Sequence, residues 1–410
     1  MGFNFDTSAA TPILKNRYTD KKIQTLAFKS ALLALMPKDS SQGGAQYVGA
    51  IRSAIGSTAS HTDTVAFTAG SSSKYNQWQC AWSPAFSSAN VSGNAIDQSK
   101  GDANALVDAM VSEFDGAFID IGQLLGADVF GNGGGAFGQI ASTSTISSTT
   151  ITLADPSKIF NFVIGQIIQL SLDDGTGGNG VRTGTLTLTN VDIMAGTLTA
   201  SAAWNTIAGA TVNDFIFGQG NYDLAFPGLA GWVPDANHRP ASNDSFDGVN
   251  RFSDPVRLAG VYYNGSGQPK TETLMRAAAL TQRMNGRPDV CVLNPMDYAE
   301  IEQALSTNVR YVTVESFDNA QISFDAIRLA TPFGMINLVM DIFCPQGSSW
   351  MLELDTWLLP SAGDVPHVAG EGVDGLQWLR SSGADAYQMR VKSLSSTYCS
   401  APGKNGSILF

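Results

Sequence analysis

Few side chains in this sequence are of a type and spacing that could do chemistry. The best placed is Cys291, in "NGRPDVCVLNPMDYAEIEQAL", where an apolar strand runs into a helix. A helix N-terminus lowers a thiol pKa and favours the nucleophilic thiolate. A base for it would have to be His61, His238 or His367, all remote in sequence and in unrelated contexts. Cys291 also alternates with Val290 and Val292, three residues before the cap Asn294, so a buried core thiol is the better reading. The four cysteines (Cys80, Cys291, Cys344, Cys399) form no CxxC pair. That excludes a zinc ribbon, a redox motif and a disulfide scaffold, and fits a chain made in a reducing cytoplasm.

The remaining candidates read as local structure. There is no HExxH and no GxSxG, and "NGSGQ" at 264–268 is a turn. "GNGGGAFGQ" follows a helix and lacks a lysine, so it reads as a hinge and not a phosphate cradle. Asp173 and Asp174 in "LDDGTGGNG" could hold calcium, but the downstream glutamate of a calcium loop is missing and a hairpin turn fits better. Lys74 could reach an Asn or Asp of a neighbour, yet an exposed, solvated lysine is the simpler reading. No catalytic residue, metal site or cofactor site is assigned.

Composition points the same way. Charged residues make up 15% of the 410, against roughly 25% in a typical soluble protein. A weakly charged surface costs little to desolvate and suits a subunit that buries much of itself against neighbours. The net charge of -12 argues against a dedicated nucleic-acid binder but not against a wall that encloses nucleic acid. The N-terminus has no apolar targeting segment, and "ALLALM" at 31–36 is far too short to span a bilayer.

The elements that would position any site fall into five stretches: 1–42, 43–100, 101–137, 138–219 and 220–410. The first is a polar arm followed by a short helix, Lys21 to Met36, stopped by Pro37. In the second, an extended excursion, Trp78, Cys80 and Trp82 share one face of a half-buried strand while Gln77 and Gln79 share the other. It holds too little apolar material for a core of its own, so a neighbouring subunit is the expected support. The third is a long helix capped by Asp102, with an apolar stripe from Leu106 to Leu125, ending at the glycines 131–135. The fourth has short alternating segments and predicts a small all-β barrel or sandwich. It holds very few basic residues, so an oligonucleotide groove is not expected. The fifth mixes helices and strands, an α+β domain: Thr271 to Met284 and the segment after Asn294 as helices, "DVCVLN", "RYVTV", "MINLVMD" and later runs as strands.

This layout resembles the major capsid protein of tailed bacteriophages, the HK-97-like fold. The resemblance rests on "FKSALLALMPKDSSQGG", "GDANALVDAMVSEFDGAFIDIGQLLGADVFGNGGGAFG", "DPVRLAGVYYNGSGQP", "DVCVLNPMDYAEIEQAL", "SWMLELDTWLL" and "APGKNGSILF", whose order and spacing agree along nearly the whole chain. It implies an N-terminal arm, an extended loop, a spine helix and an α+β axial domain, with 138–219 as an added β domain. It implies a homo-oligomer: hexamers and pentamers of an icosahedral virion capsid enclosing double-stranded DNA, with portal, scaffolding and decoration proteins as partners and no membrane. On this reading Tyr75, Trp78 and Trp82 are expected inter-subunit anchors. Gly43, Gly44, Gly93, Gly131, Gly133, Gly134 and Gly135 are expected hinges. An alternative is a phage surface or receptor-binding module that uses 138–219 to recognise a cell-surface sugar.

Overall fold

The structure, a computed structural model, describes residues 29–54, 60–64, 72–92, 109–236, 238–242, 245–305, 328–331, 334–368, 379–380 and 385–410. The chain divides into two compact units. The larger contains Phe28–Ala85, Ile121–His367 and Lys392–Phe410; the smaller includes Phe86–Asp120 and Val368–Val391. In the smaller unit Leu379 and Arg380 pair antiparallel with Gln388 and Tyr387.

The spine helix is described over Ala109–Phe130, about 33 Å at 1.5 Å per residue. Its expected start at Asp102 and the stripe residue Leu106 lie outside the described residues. The stripe continues as Ala117, Ile121, Leu125 and Val129, all buried at steps of four. The helix stops where expected, with the Gly131 amide donating to the Asp128 carbonyl at 2.9 Å. Three glycines interrupt it, for different reasons. A Cβ at Gly126 would lie 2.8 Å from the buried Phe343 ring, whereas at Gly116 and Gly122 it would meet nothing within 4 Å. Helical glycine costs roughly 0.5–1 kcal/mol relative to alanine. Gly122→Ala is therefore expected to stabilise the protein by about that amount in urea titration. Gly126→Ala is expected to destabilise it by about 1–3 kcal/mol through overpacking.

The strands expected in 138–219 close into a ring. Phe215–Gly218 pairs with Gly138–Gln139 and with Ile167–Ser171, which pairs with Leu186–Asp192. Leu186–Asp192 then pairs with Thr197–Ala200, and that strand with Thr150–Thr152. An Ile140–Leu153 bridge brings the last strand back to the first. Leu186 and Leu188 point inward as the alternation with threonine requires, joining a core that includes Ile140, Ile168, Leu170, Leu198, Trp204 and Ile216. A closed ring leaves no open sheet edge to pair with another chain.

The C-terminal region is a six-stranded mixed sheet in the order Val261–Asn264, Gly406–Leu409, Ser348–Leu352, Val290–Leu293, Gly334–Met340, Arg328–Thr331. Val290–Leu293 is buried at every position, as its unbroken apolar run predicts. The helices Lys270–Arg283 and Pro295–Leu305 cover one face, through Leu274, Ala277, Ala278, Tyr298 and Ile301. Asn294 accepts from the Met296 amide at 3.0 Å, the expected cap. Asp297, expected to serve the helix dipole, does more. It is fully buried, pairs with Lys270 at 2.5 Å and accepts from the Gly347 amide at 2.8 Å, which locks the two helices to a sheet turn. The strand expected at "RYVTV" lies outside the described residues.

Of the helix expected over Lys21 to Met36, the described part is Ala31–Leu35. Ser30 caps it, accepting from the Leu33 amide at 3.2 Å. Buried Asp341 accepts from the Ser30 hydroxyl at 2.6 Å and from the Leu32 amide at 3.0 Å, which fixes this N-terminal turn beside the C-terminal sheet.

Candidate assembly surfaces

The extended excursion begins as an antiparallel hairpin of Gln46–Ala54 and Lys74–Ala81. Ser83–Ser92 then leaves it to pair with the strand Ala386–Ser395. The alternation read from sequence holds: Trp78 and Cys80 are fully buried, while Gln77 and Gln79 face solvent. The burial partner differs from expectation. Trp78 packs edge-on against Trp232 at 5.0 Å between ring centroids, and against Phe246 at 6.2 Å. Trp232 in turn meets Phe246 and Tyr398, and Tyr398 meets Tyr47 at 5.1 Å. Gly49 lies directly under the Tyr398 ring, where a Cβ would overlap it. The root of the hairpin is therefore held by its own chain, with Trp78 packed in its aromatic cluster.

A small clamp completes the root. Ser245–Phe246 and Val249–Asn250 form a tight pair whose turn residue Asp247 accepts, through its carbonyl, from the Gln79 amide at 2.8 Å. Arg251 stacks on the Phe246 ring at 4.0 Å and donates to the Gly231 carbonyl at 2.7 Å. One carboxylate oxygen of Asp247 is buried without a hydrogen-bond partner, and burial pushes this carboxyl up to about 6.

Of the other expected anchors, Tyr75 lies at the free face and Trp82 is half-buried. Trp82 donates its indole N–H to the Gly44 carbonyl at 2.9 Å, closing the mouth of the hairpin. Tyr75 is 68% exposed and Val48 46%. Register places both on the outward face, Val48 directly across from Gln79 and Tyr75 across from Arg52.

The glycines divide too. Gly43 and Gly44 stand in open space, with Gly44 at φ +95°, which suits a pivot. Gly93 lies outside the described residues. The run after the spine helix is not free: a side chain at Gly134 would overlap the Asp174 backbone, and one at Gly135 the Asn221 backbone. Gly133 abuts Pro227 and has φ +100°. Asn132 donates to Asp174 at 2.6 Å, and Gly131 accepts from the Gly228 amide at 3.1 Å. Gly131, Gly133, Gly134 and Gly135 thus lie close against neighbouring backbone. They permit close backbone packing that bolts the barrel to the helix end.

None of the chemical candidates acquires machinery. Cys291 is fully buried in the sheet, and burial pushes its thiol up to about 12, opposite to what a nucleophile needs. Cys399 is likewise pushed up to about 12, and Cys80 and Cys344 are also raised by burial. We expect iodoacetamide to leave all four thiols unmodified in the native protein at pH 8 and to modify all four in urea, read by mass. The Asp173–Asp174 loop is an internally bonded turn. Asp173 accepts from the Gly175 and Asn179 amides and from the Tyr222 hydroxyl, while Asp174 accepts from Thr176 and Asn132. Among the described residues no group of three or more His, Cys, Asp or Glu side chains could hold a metal ion.

No protein-family model matches the chain, and no curated protein matches it in sequence. Its fold does have solved counterparts. The cyanophage A-1(L) capsid asymmetric unit superposes with a TM-score of 0.57 at 12% identity, covering 98% of this chain and 99% of that one. The capsid of a native GTA particle gives 0.52 at 6% identity, covering 100% and 99%, and that of an empty GTA particle gives 0.53. The chain has the fold of these capsid proteins from end to end, as the sequence resemblance implied.

Proposed function

We propose that the chain is a major capsid protein, a non-enzymatic subunit of a tailed-phage head that assembles with copies of itself into hexamers and pentamers around double-stranded DNA. The observation that carries this reading is the likeness to capsid subunits over the entire chain, with nothing left over for a separate activity. The local surface supports it. The outward face of the hairpin presents Tyr75 and Val48 with no described cover from the chain itself. Exposed aromatic and branched side chains on an extended, weakly charged limb suit a contact with a second copy. The net charge of -12 suits a wall that DNA can lie against without adhering.

On the same reading the barrel of 138–219 is an addition to the minimal fold, carried as a rigid outgrowth of the spine. Portal, scaffolding and decoration proteins would be its partners in the particle. Electron microscopy and analytical ultracentrifugation of the purified chain test the proposal. Closed shells or capsomer rings are the expected result. A protein that stays a single copy at high concentration, with or without added scaffolding protein, overturns it.

A further inference from the structure

The helices Lys270–Arg283 and Pro295–Leu305 cover one face of the six-stranded sheet, and a cleft of about 570 Å³ lies over the other. Register shows which side chains form its floor. Tyr262, Ser407 and Trp350 stand side by side across three strands, and Asn264, Leu409 and Ser348 form the next row. Tyr263, Ile408 and Met351 alternate with them and pack on the helix side. The barrel supplies the far wall of the cleft, through Asp155, Lys158 and Asp174 among others. Its volume is in the range of small-molecule sites, roughly 300–1,000 Å³.

Three carboxylates line this space, Asp155, Asp174 and Asp235, against a single lysine, Lys158. Two of them are fixed by the barrel's own bonds. Asp155 accepts from the Ser157 amide at 3.0 Å, and Asp174 from the Asn132 side chain at 2.6 Å. The carboxylates are also spread out. Among the described residues no group of three or more His, Cys, Asp or Glu side chains could hold a metal ion. His238 marks the spacing of two of them, with Nδ1 2.8 Å from Asp235 and Nε2 3.9 Å from Asp174. Negative charge spaced along a cleft is matched by a cation whose own charges are spaced, and not by a point charge that needs its ligands gathered around it. The floor suits such a cation as well. Tyr262 offers an aromatic ring, which attracts ammonium groups. Its hydroxyl oxygen is buried without a hydrogen-bond partner, so it gains by accepting from an N–H donor.

We propose that this cleft binds a linear aliphatic polyamine, whose ammonium groups donate to Asp155, Asp174 and Asp235 and to the Tyr262 hydroxyl. The site needs no second copy, so it stands or falls separately from the capsid reading.

Calorimetric titration of spermidine into the full-length chain at physiological ionic strength tests it. One saturable site per chain is expected, and neither butylamine, a monoamine, nor Mg²⁺ at equal concentration is expected to displace the spermidine. Asp155→Asn and Asp235→Asn keep the side-chain shape and are each expected to weaken binding about tenfold. Tyr262→Phe keeps the ring and is expected to weaken it about threefold. Asp192→Asn removes one charge beside an exposed turn of the barrel, outside the cleft, and is expected to leave the affinity unchanged. Absence of a saturable site, displacement by Mg²⁺, or an equal loss in Asp192→Asn overturns the proposal. The first two are read on the parent chain, so the test survives a variant that fails to fold.

Discussion

Replacing Trp78 by alanine is expected to destabilise the isolated subunit by about 3–5 kcal/mol, the usual cost of emptying a buried tryptophan site. Trp78 is fully buried and joins the hairpin to Trp232 and Phe246, so the loss falls on an aromatic cluster that ties the limb to the body. Each aromatic pair adds roughly 0.5–1.5 kcal/mol beyond area burial. Tyr75→Ala, three strand positions away on the opposite face, is expected to change subunit stability by under about 0.5 kcal/mol. It should act on association of copies instead. Urea titration of both variants, with hydrogen exchange over Gln46–Ala54 and Lys74–Ala81, separates the roles. If Trp78→Ala melted like the parent and failed only in assembly, its side chain would belong to a neighbour after all.

That contrast shows which parts of the molecule are readable from the chain and which are not. Local periodicity carried far: Ala117, Ile121, Leu125 and Val129 face one way because a helix repeats every 3.6 residues. Leu186 and Leu188 turn inward because a strand repeats every two. The face of the strand holding Trp78 and Cys80 was equally legible. What covers that face was not, because Trp232, Phe246 and Tyr398 lie 150 or more residues away and no local pattern links them to residue 78. The surroundings of the glycines at 131–135 were hidden for a related reason. Glycine signals freedom of φ and also room for another backbone, and only the folded chain shows Asp174 and Asn221 occupying that room. The full-length likeness to capsid subunits was visible because the order of elements survives where residue identity has fallen to 12%.

Asp128 is the residue for which sequence gave no warning. In the notation of a helical wheel it is one more acid on the spine, yet it is 7% exposed, and burial pushes its carboxyl from 3.8 up to about 7. A carboxyl that binds its proton more tightly folded than unfolded destabilises the fold wherever the proton is lost. Below pH 4 both states are protonated and the penalty vanishes. Between about pH 4 and 7 the folded state holds a proton that the unfolded state has released, so stability falls as pH rises. Above about pH 8 the full cost is present, on the order of 4 kcal/mol for a rise of this size. Asp128→Asn keeps the shape and removes the ionisation. It is therefore expected to stabilise the subunit by on the order of 3–4 kcal/mol at pH 8.5 and by almost nothing at pH 4. Asp247, pushed up to about 6, and Asp341, raised by burial, titrate in both proteins and cancel in the difference. Urea midpoints of parent and variant across pH 4–8.5 give that difference directly. A gap that stays constant with pH would mean that Asp128 keeps its charge in the folded chain, through water or a neighbour that neutralises it.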